Sequence, residues 1–296
     1  MAYNKYSEYL ADRAQKSILQ IFDLATREIT VVKRFNRVIE APNWTRDGKH
    51  LIVNGDGQIF RVCIETGAVE KIETGPANTC NNDHVLNPDG TGIAVSSGRD
   101  DDMGSRIYIV DFASGDVRCA VDDDLSYLHG WSPDGRTLAY CAGRNIDGAQ
   151  EWDIYTRPVA GGAETRLTDA PGLNDGPEFS PDGRQIWFNS VRTGAMQAYV
   201  MNADGSDQRQ MTFDADFYAW FPHISPDMEK VVYVAYRAGD LQPGEHLPDK
   251  HVEIRMIPAT GGAPETLVRL FGGQGTMNVN SWSPDSTKFA FVSYEY

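Results

Sequence analysis

A turn signature that recurs six times at nearly constant spacing predicts an all-β fold, a six-bladed β-propeller. The signature reads apolar residue, Ser/Thr/Asn, Pro, Asp and Gly, followed by polar residues and an alternating apolar strand. Its aspartates are Asp47, Asp89, Asp134, Asp182, Asp227 and Asp285. Successive aspartates are 42, 45, 48, 45 and 58 residues apart. Known propeller blades of four strands take about 40–45 residues, so each interval corresponds to one blade.

The signature is typical of a tight hairpin turn between two strands, named A before the turn and B after it. In Ser132-Pro133-Asp134-Gly135, proline presets φ for the first central position, aspartate suits the second, and glycine suits the fourth. Proline cannot donate to a sheet ladder, so it belongs in the turn. Each signature therefore predicts an antiparallel A–B hairpin.

Two further strand-like runs, C and D, lie between successive signatures. Residues 107–110 and 153–156 are aromatic or β-branched runs that predict strand C. A turn that contains glycine follows, and then a polar-alternating run such as residues 164–168 predicts strand D. No long helical period interrupts this pattern, so each repeat supplies one four-stranded blade.

The two ends of the chain predict how the ring closes. The chain stops at Tyr296, just after a B strand, so the last blade lacks its C and D strands. Residues 17–23 and 28–32 supply C-like and D-like runs that follow no signature. Pairing these N-terminal strands with the C-terminal A and B strands completes the sixth blade and removes the exposed edges. We assign residues 16–296 to one propeller domain and residues 1–15 to an N-terminal appendage.

The composition is that of a soluble globular protein, with 41% hydrophobic and 23% charged residues in a chain of 296. The net charge of −15 repels phosphate backbones and anionic lipids, so we expect neither nucleic acid nor a membrane as partner. No apolar run has the length of a signal peptide or a membrane helix. We expect a cytoplasmic monomer, or a periplasmic one if a leader has been removed. The four cysteines show no CxxC spacing, which favours reduced, packed thiols.

These repeats resemble those of bacterial TolB-like propellers, also described as PD40 or WD40-like repeats, and those of prolyl-oligopeptidase propellers. The resemblance rests on the Ser-Pro-Asp-Gly turn, the Ile-Tyr pairs of strand C and the Arg166-Leu167-Thr168 run of strand D. It covers about residues 17–296. Residues 170–294 are similar to uncharacterised TolB-like proteins through segments 172–177, 220–223 and 271–276. The resemblance implies the fold and names no reaction, because one fold hosts many activities.

A ring of polar and aromatic residues marks the predicted mouth of the channel. The D–A and B–C loops of a propeller share one face, and ligand sites favour such a mouth. Merely solvated loops would be richer in Lys, Glu and Ser. We expect the ring to bind a small polar ligand or a protein segment; loop-capping side chains around a water-filled channel are the alternative. The candidate residues of the ring are Asn82, Asp83, His84, His129, Asn174, Asp175, Trp220, His223, Gln274 and Asn278.

Three histidines suggest an alternative function, a metal-assisted lyase or hydrolase of acidic or oxidised saccharides. His84 and His129 both lie four residues before a turn proline, whereas His223 lies three before and should point to the other side of its strand. With Asp83 or Asp175 they could hold a divalent metal, and propeller lyases that act on acidic oligosaccharides have similar repeats. No HxH or HxxxH spacing supports a metal, so we expect no cofactor and assign no catalytic residue. Hydrogen-bonded histidines between blades are the simpler interpretation.

Four arginines recur at one position of the repeat and suggest that the ligand is anionic. They should surround the mouth at the ends of the B strands, where they would capture an anion. The alternative is that they pair with neighbouring aspartates and carbonyl groups. Each lies eleven residues after a turn proline: Arg99, Arg144, Arg192 and Arg237.

The long B–C loop of blade 5, residues 238–251, explains the 58-residue spacing. Loops of this length in compact domains are usually functional or disordered, and its two prolines favour order. We expect a lid over the channel, contacted by the glycine-rich segment 272–278, whose backbone N–H groups would approach the ligand. The lid should unite these residues in one pocket: His246, Lys250, Trp220, Arg237 and Asn278.

Overall fold

The alternating apolar runs of the sequence form the strands of the computed structural model, which describes residues 16–99 and 102–296. The predicted appendage, residues 1–15, lies outside the described residues. In chain order the strands are β1 (Lys16–Asp23), β2 (Ile29–Phe35), β3 (Glu40–Trp44), β4 (His50–Gly55), β5 (Gln58–Cys63), β6 (Val69–Ile72), β7 (Cys80–Leu86), β8 (Gly92–Arg99), β9 (Asp102–Asp111), β10 (Val117–Val121), β11 (Ser126–Trp131), β12 (Thr137–Ile146), β13 (Ala149–Pro158), β14 (Thr165–Arg166), β15 (Asn174–Phe179), β16 (Gln185–Ser190), β17 (Gln197–Asn202), β18 (Arg209–Gln210), β19 (Phe217–Ile224), β20 (Lys230–Arg237), β21 (Lys250–Pro258), β22 (Glu265–Gly272) and β23 (Lys288–Glu295). A single 3₁₀ turn, Gln274–Thr276, is the only helical element in the described part of the chain.

These strands form the predicted six blades. Blades 1 to 5 are antiparallel four-stranded sheets that take their strands in chain order, from β3–β6 to β19–β22. The inner strands of successive blades pack on one another, β3 on β7, β7 on β11, β11 on β15 and β15 on β19. Strand β23 contacts both β22 of blade 5 and β3 of blade 1, which closes the ring.

The sixth blade is built from both ends of the chain, as the sequence predicts. Its sheet has the order β2-β1-β23, and β1 pairs with β23 from Lys16↔Glu295 to Asp23↔Lys288. Its A strand is reduced to one bridge, Trp282↔Phe289. The N–H of Trp282 donates to the side chain of Asn280 (3.0 Å).

The signature turn is stabilised by its own aspartate. In blade 3, Ser132 Oγ donates to Asp134 Oδ1 (2.6 Å), and the N–H of Arg136 donates to the same oxygen (3.0 Å). The hydrogen bond from Ser132 lowers the pKa of Asp134. Gly135 takes φ +74°, a region in which glycine carries no steric penalty. In blade 4, Ser180 Oγ and the N–H of Arg184 likewise donate to Asp182 Oδ1, which explains why Ser and Asp recur with the turn.

The hydrophobic core lies mostly between the blades. Between blades 6 and 1, for example, Leu19 and Val292 pack with Leu51 and Val53, all fully buried. The four cysteines are free thiols, of which Cys80 and Cys141 are buried. Within the described residues, no helix has the length and apolar character required to cross a membrane.

Candidate functional site

Irregularities in the A strands decide which side chains enter the channel. In blade 3 the register shifts between Leu128 and Gly130, which leaves His129 unpaired with strand B. In blade 2 the shift between Cys80 and His84 is larger, so that Asp83 is unpaired and His84 pairs with Val95. A bulge bends the strand and re-aims its side chains. Asp83 and His129 are therefore the residues that meet, although they lie at different offsets from their turns.

His84 is not equivalent to His129, contrary to the alignment on the turn prolines. Its side chain is fully buried, and burial lowers its pKa to about 4, with the backbone of Ile52 and Ala41 opposing this shift only in part. Ile52 and Ala41 belong to blade 1, so His84 lies at the boundary between blades 1 and 2. The bulge thus assigns His84 to the packing between blades.

Side chains from several blades meet near the start of the A strands in what we call the entrance cluster: Asp83, His129, Asp175, Trp220, His246 and Asn278. His129 Nε2 lies 3.4 Å from Asp175 Oδ1 and 3.7 Å from Asp83 Oδ1. Asn278 Nδ2 donates to Asp83 Oδ1 (2.6 Å) and to the carbonyl of Asn82 (3.2 Å). Blades 2, 3, 4 and 6 thus share one polar network across the channel.

The charges of the entrance cluster depend on one another. Burial disfavours the charged form of His129, but Asp83 and Asp175 outweigh it and raise its pKa to about 9. Burial likewise opposes ionisation of Asp175, but His129, assisted by His246, lowers its pKa to about 2. Burial dominates at Asp83 and raises its pKa to about 6, although His129 opposes this shift. At neutral pH the cluster therefore contains one imidazolium beside two carboxylates.

These shifts predict a pH dependence that Asp175→Asn should change. The pKa of His129 is about 6.5 in the unfolded chain and about 9 in the folded protein. The stability contributed by protonated His129 is therefore complete below about pH 6.5 and is lost as the pH rises through about 9. Removing the Asp175 charge should lower the pKa of His129. NMR titration of the imidazole resonances measures this midpoint. Asp134→Asn, in a turn outside the cluster, should leave it unchanged, and an unmoved midpoint in Asp175→Asn would contradict the assigned geometry.

The long loop of blade 5 reaches the entrance cluster through His246, as the sequence predicts. The ring centroids of His246 and Trp220 are 4.4 Å apart, and His246 Nε2 lies 3.9 Å from Asp175 Oδ2. Burial lowers the pKa of His246, while Asp175 and a hydrogen bond with Gln274 oppose this shift. Strand β21 begins at Lys250, so the loop itself spans residues 238–249.

The glycine-rich segment approaches this loop rather than an open cleft. Gly273 has φ +128°, and an added Cβ would collide with the carbonyl of Leu247 and with Pro248. An added Cβ at Gly275 would collide with Glu40 and Tyr294. The segment is therefore wedged between the loop and blades 1 and 6, and its glycines permit that close packing.

A second group, the inner cluster, lies further along the A strands and consists of Asn43, Glu178, His223 and Asn280. His223 Nδ1 lies 2.6 Å from Glu178 Oε2, and its Nε2 lies 3.3 Å from the carbonyl of Met277. Asn280 Nδ2 donates to Glu178 Oε1 (2.6 Å), and Asn43 Nδ2 donates to the carbonyl of Asn280 (2.7 Å). His223 thus lies apart from His129, in a network of hydrogen bonds between blades.

The remaining candidates hold individual blades together or lie at the surface. Asn174 is fully buried and contacts Asp153, Ser190 and Arg192. Arg237, at the end of β20, is exposed. Neither Arg237 nor Lys250 makes a hydrogen bond or ion pair with the entrance cluster among the described residues.

Three of the four recurring arginines pair along their own blades, which was the alternative interpretation. Arg144 binds Glu164 through two bonds (2.8 and 2.9 Å). Arg192 binds Asn174 (2.9 Å). Arg99 binds Asp122 and the hydroxyl of Tyr108. Their hydrogen bonds thus go to groups of their own sheets and not to the entrance cluster.

Sequence reasoning missed Phe221 and Glu178. Phe221 is a bulky residue with φ +54°, a strained conformation that a hydrogen bond from its N–H to Asn189 Oδ1 (3.0 Å) stabilises. Its ring stacks on His129, with centroids 5.7 Å apart. Glu178 lies three residues before Pro181, the same offset as His223 from its own proline, and that shared offset was the available signal.

The described residues contain no group of three or more His, Cys, Asp or Glu side chains arranged to hold a metal ion. The fold and this cluster define a β-propeller whose blades share a cluster of polar and aromatic side chains. Residues 128–253 match the family model described as the TolB beta propeller domain. An uncharacterised protein of Agrobacterium fabrum is 43% identical over 282 residues, which are 95% of this chain and 93% of that protein. The chain belongs to the TolB-like β-propeller family.

Solved structures agree with this assignment. A structure from Agrobacterium tumefaciens, provisionally assigned as TolB, is 43% identical and has a TM-score of 0.88; the match covers 96% of this chain and all of that one. TolB from Acinetobacter baumannii is 15% identical with a TM-score of 0.60, over 95% of this chain and 64% of that one. The second similarity concerns the fold alone.

Proposed function

We propose that this propeller is a binding module that takes a small polar ligand, free or as part of a protein segment, at the entrance cluster. The observation that carries the proposal is a contrast between the two clusters. Among the residues that the structure describes, Asn278 Oδ1 is buried without a hydrogen-bond partner, whereas no side-chain atom of the inner cluster is left in this state. Leaving a buried polar group unpaired costs about 1–3 kcal/mol, and a ligand at the entrance cluster would supply the partner.

The same cluster favours a ligand that donates hydrogen bonds. Asp83 and Asp175 are acceptors when ionised, and Asn278 Oδ1 is a further acceptor. The expectation of an anionic ligand rested on the recurring arginines, three of which are engaged within their own blades. His129 is the cation of the entrance cluster, and it already faces two carboxylates. We therefore propose a polar ligand that donates hydrogen bonds rather than an anionic ligand.

A thermal-shift screen tests this function directly. Sugars, uronic acids, amines and nucleotides are added to the purified protein, and at least one class should raise the melting temperature saturably, because a ligand that binds only the folded state stabilises it. Asn278→Ala should abolish that shift. Asn43→Ala, a matched change in the inner cluster, should lower stability but preserve the shift. No shift with any class, or equal loss of the shift in both variants, would refute the proposed function.

A further inference from the structure

The side chain of His246 occupies a small box with two aromatic walls and one acidic wall. Its ring centroid lies 4.4 Å from that of Trp220 and 5.4 Å from that of Phe221, and both contacts are steeply inclined. Asp175 Oδ2 faces its Nε2 at 3.9 Å, beyond hydrogen-bonding distance. We call this site, formed by Trp220, Phe221 and Asp175, the His246 box.

The aromatic walls of the box belong to the hydrophobic core of the propeller, whereas its occupant comes from a loop. Trp220 and Phe221 are fully buried in the core cluster between blades 5 and 6. The loop that carries His246 has mostly exposed or half-buried residues. Outside His246, its anchors include buried Leu241 and the bond from the hydroxyl of Tyr236 to the carbonyl of Leu247 (2.9 Å). The occupant can therefore leave without dismantling the walls.

His246 fits the box incompletely. Asp175 gains no hydrogen bond from His246. Among the residues that the structure describes, the acceptor Asn278 Oδ1 beside Asp83 is also left without a partner. Since His246 is held in its neutral form by burial, the two carboxylates of the cluster face only one positive charge, that of His129.

Aromatic walls beside an undercompensated carboxylate have the chemistry that recognises organic cations. A guanidinium or ammonium group gains cation–π attraction from indole and phenyl rings, and charge-assisted hydrogen bonds from a carboxylate. We propose that the His246 box is a binding site for a guanidinium or ammonium group, and that His246 is an internal ligand that such a cation displaces. This inference rests on the proposed function and specifies the ligand class of the same site.

The experiment measures binding by isothermal titration to the wild type and to His246→Ala, which empties the box. The probes are methylguanidinium, its neutral planar isostere methylurea, and galacturonate as an anion. Methylguanidinium should bind the wild type saturably and bind His246→Ala about tenfold more tightly or better, because the internal competitor is gone. It should also raise the melting temperature of His246→Ala. Methylurea and galacturonate should do neither.

Asp175→Asn and Asp169→Asn form a matched pair that tests the acidic wall. Asp169 is exposed and lies outside the cluster. In either the wild-type or the His246→Ala background, Asp175→Asn should remove the preference for methylguanidinium over methylurea, whereas Asp169→Asn should preserve it. If His246→Ala does not fold, the comparison of Asp175→Asn with Asp169→Asn in the wild-type background tests the acidic wall. The peptide Gly-Arg-Gly and free arginine, compared in the same titration, distinguish a protein segment from a small molecule as the source of the cation.

The outcomes separate this inference from the proposed function. Binding of methylurea or galacturonate with equal or greater affinity than methylguanidinium would overturn the cation site and leave a binding module of another specificity. Retention of cation preference in Asp175→Asn would overturn the assignment of the acidic wall. If no probe binds and the wider screen of sugars, uronic acids, amines and nucleotides is also negative, the proposed function itself fails.

Discussion

Removing residues 1–33 should abolish cooperative folding, although the deletion leaves all six signature turns intact. Strand β1 pairs with β23 along its whole length, and the ring of Phe22 stacks on Phe289 with centroids 5.1 Å apart. Leu19 is fully buried. Full burial of one such side chain contributes about 1.5–3 kcal/mol, and the deletion removes several of them at once.

The deletion also exposes the edge of strand β23, which contains Phe289, Phe291 and Val292. An unpaired, apolar edge strand is a template for pairing with other chains. We therefore expect aggregation in analytical ultracentrifugation and a broad, non-cooperative thermal transition. Removal of residues 1–15 alone, which retains β1 and β2, is the control and should preserve cooperative melting. A soluble 1–33 deletion that melts cooperatively would refute the closure of the ring by both ends of the chain.

The fold could be predicted from the sequence because its determinants are local and repeated. The Ser132-Asp134 turn bonds are made within five residues, so the same short motif marks every blade. The closure followed from the order of strands at the two ends, which depends on strand type and not on side-chain direction. Both kinds of information survive small errors in the positions of strand boundaries.

The site could be predicted only in part because its geometry depends on bulges. A register shift of one residue redirects side chains to the other face of a strand. The count from the turn proline therefore placed His84 beside His129, while the bulges bring Asp83 there instead. No sequence pattern marks the length of a bulge in these strands. The hydrogen-bond partners of the recurring arginines could not be predicted either, because they include acceptors such as Glu164, twenty residues away from Arg144.

The contacts of the blade 5 loop could also be predicted only in part. Its length and its prolines indicated an ordered lid, and His246 does reach Trp220. Lys250 was expected beside them, but it is the first residue of β21 and pairs with Gly272. Where a loop ends and a strand begins is decided by the partner strand, here β22, and not by the loop sequence.

The second large effect should come from Trp220→Ala, which we expect to cost about 3–5 kcal/mol of unfolding free energy. The sequence placed Trp220 in the ring at the mouth of the channel. The structure shows it fully buried, in the same core cluster as Tyr236, Met277 and Phe289. Urea denaturation measures the loss, and Trp152→Ala, at a half-buried tryptophan, is the matched control with a smaller expected effect. Equal losses of unfolding free energy in the two variants would contradict the burial of Trp220 in the core. Because this residue is both wall and core, the test of ligand specificity belongs to Asp175→Asn, where the charge changes and the packing volume does not.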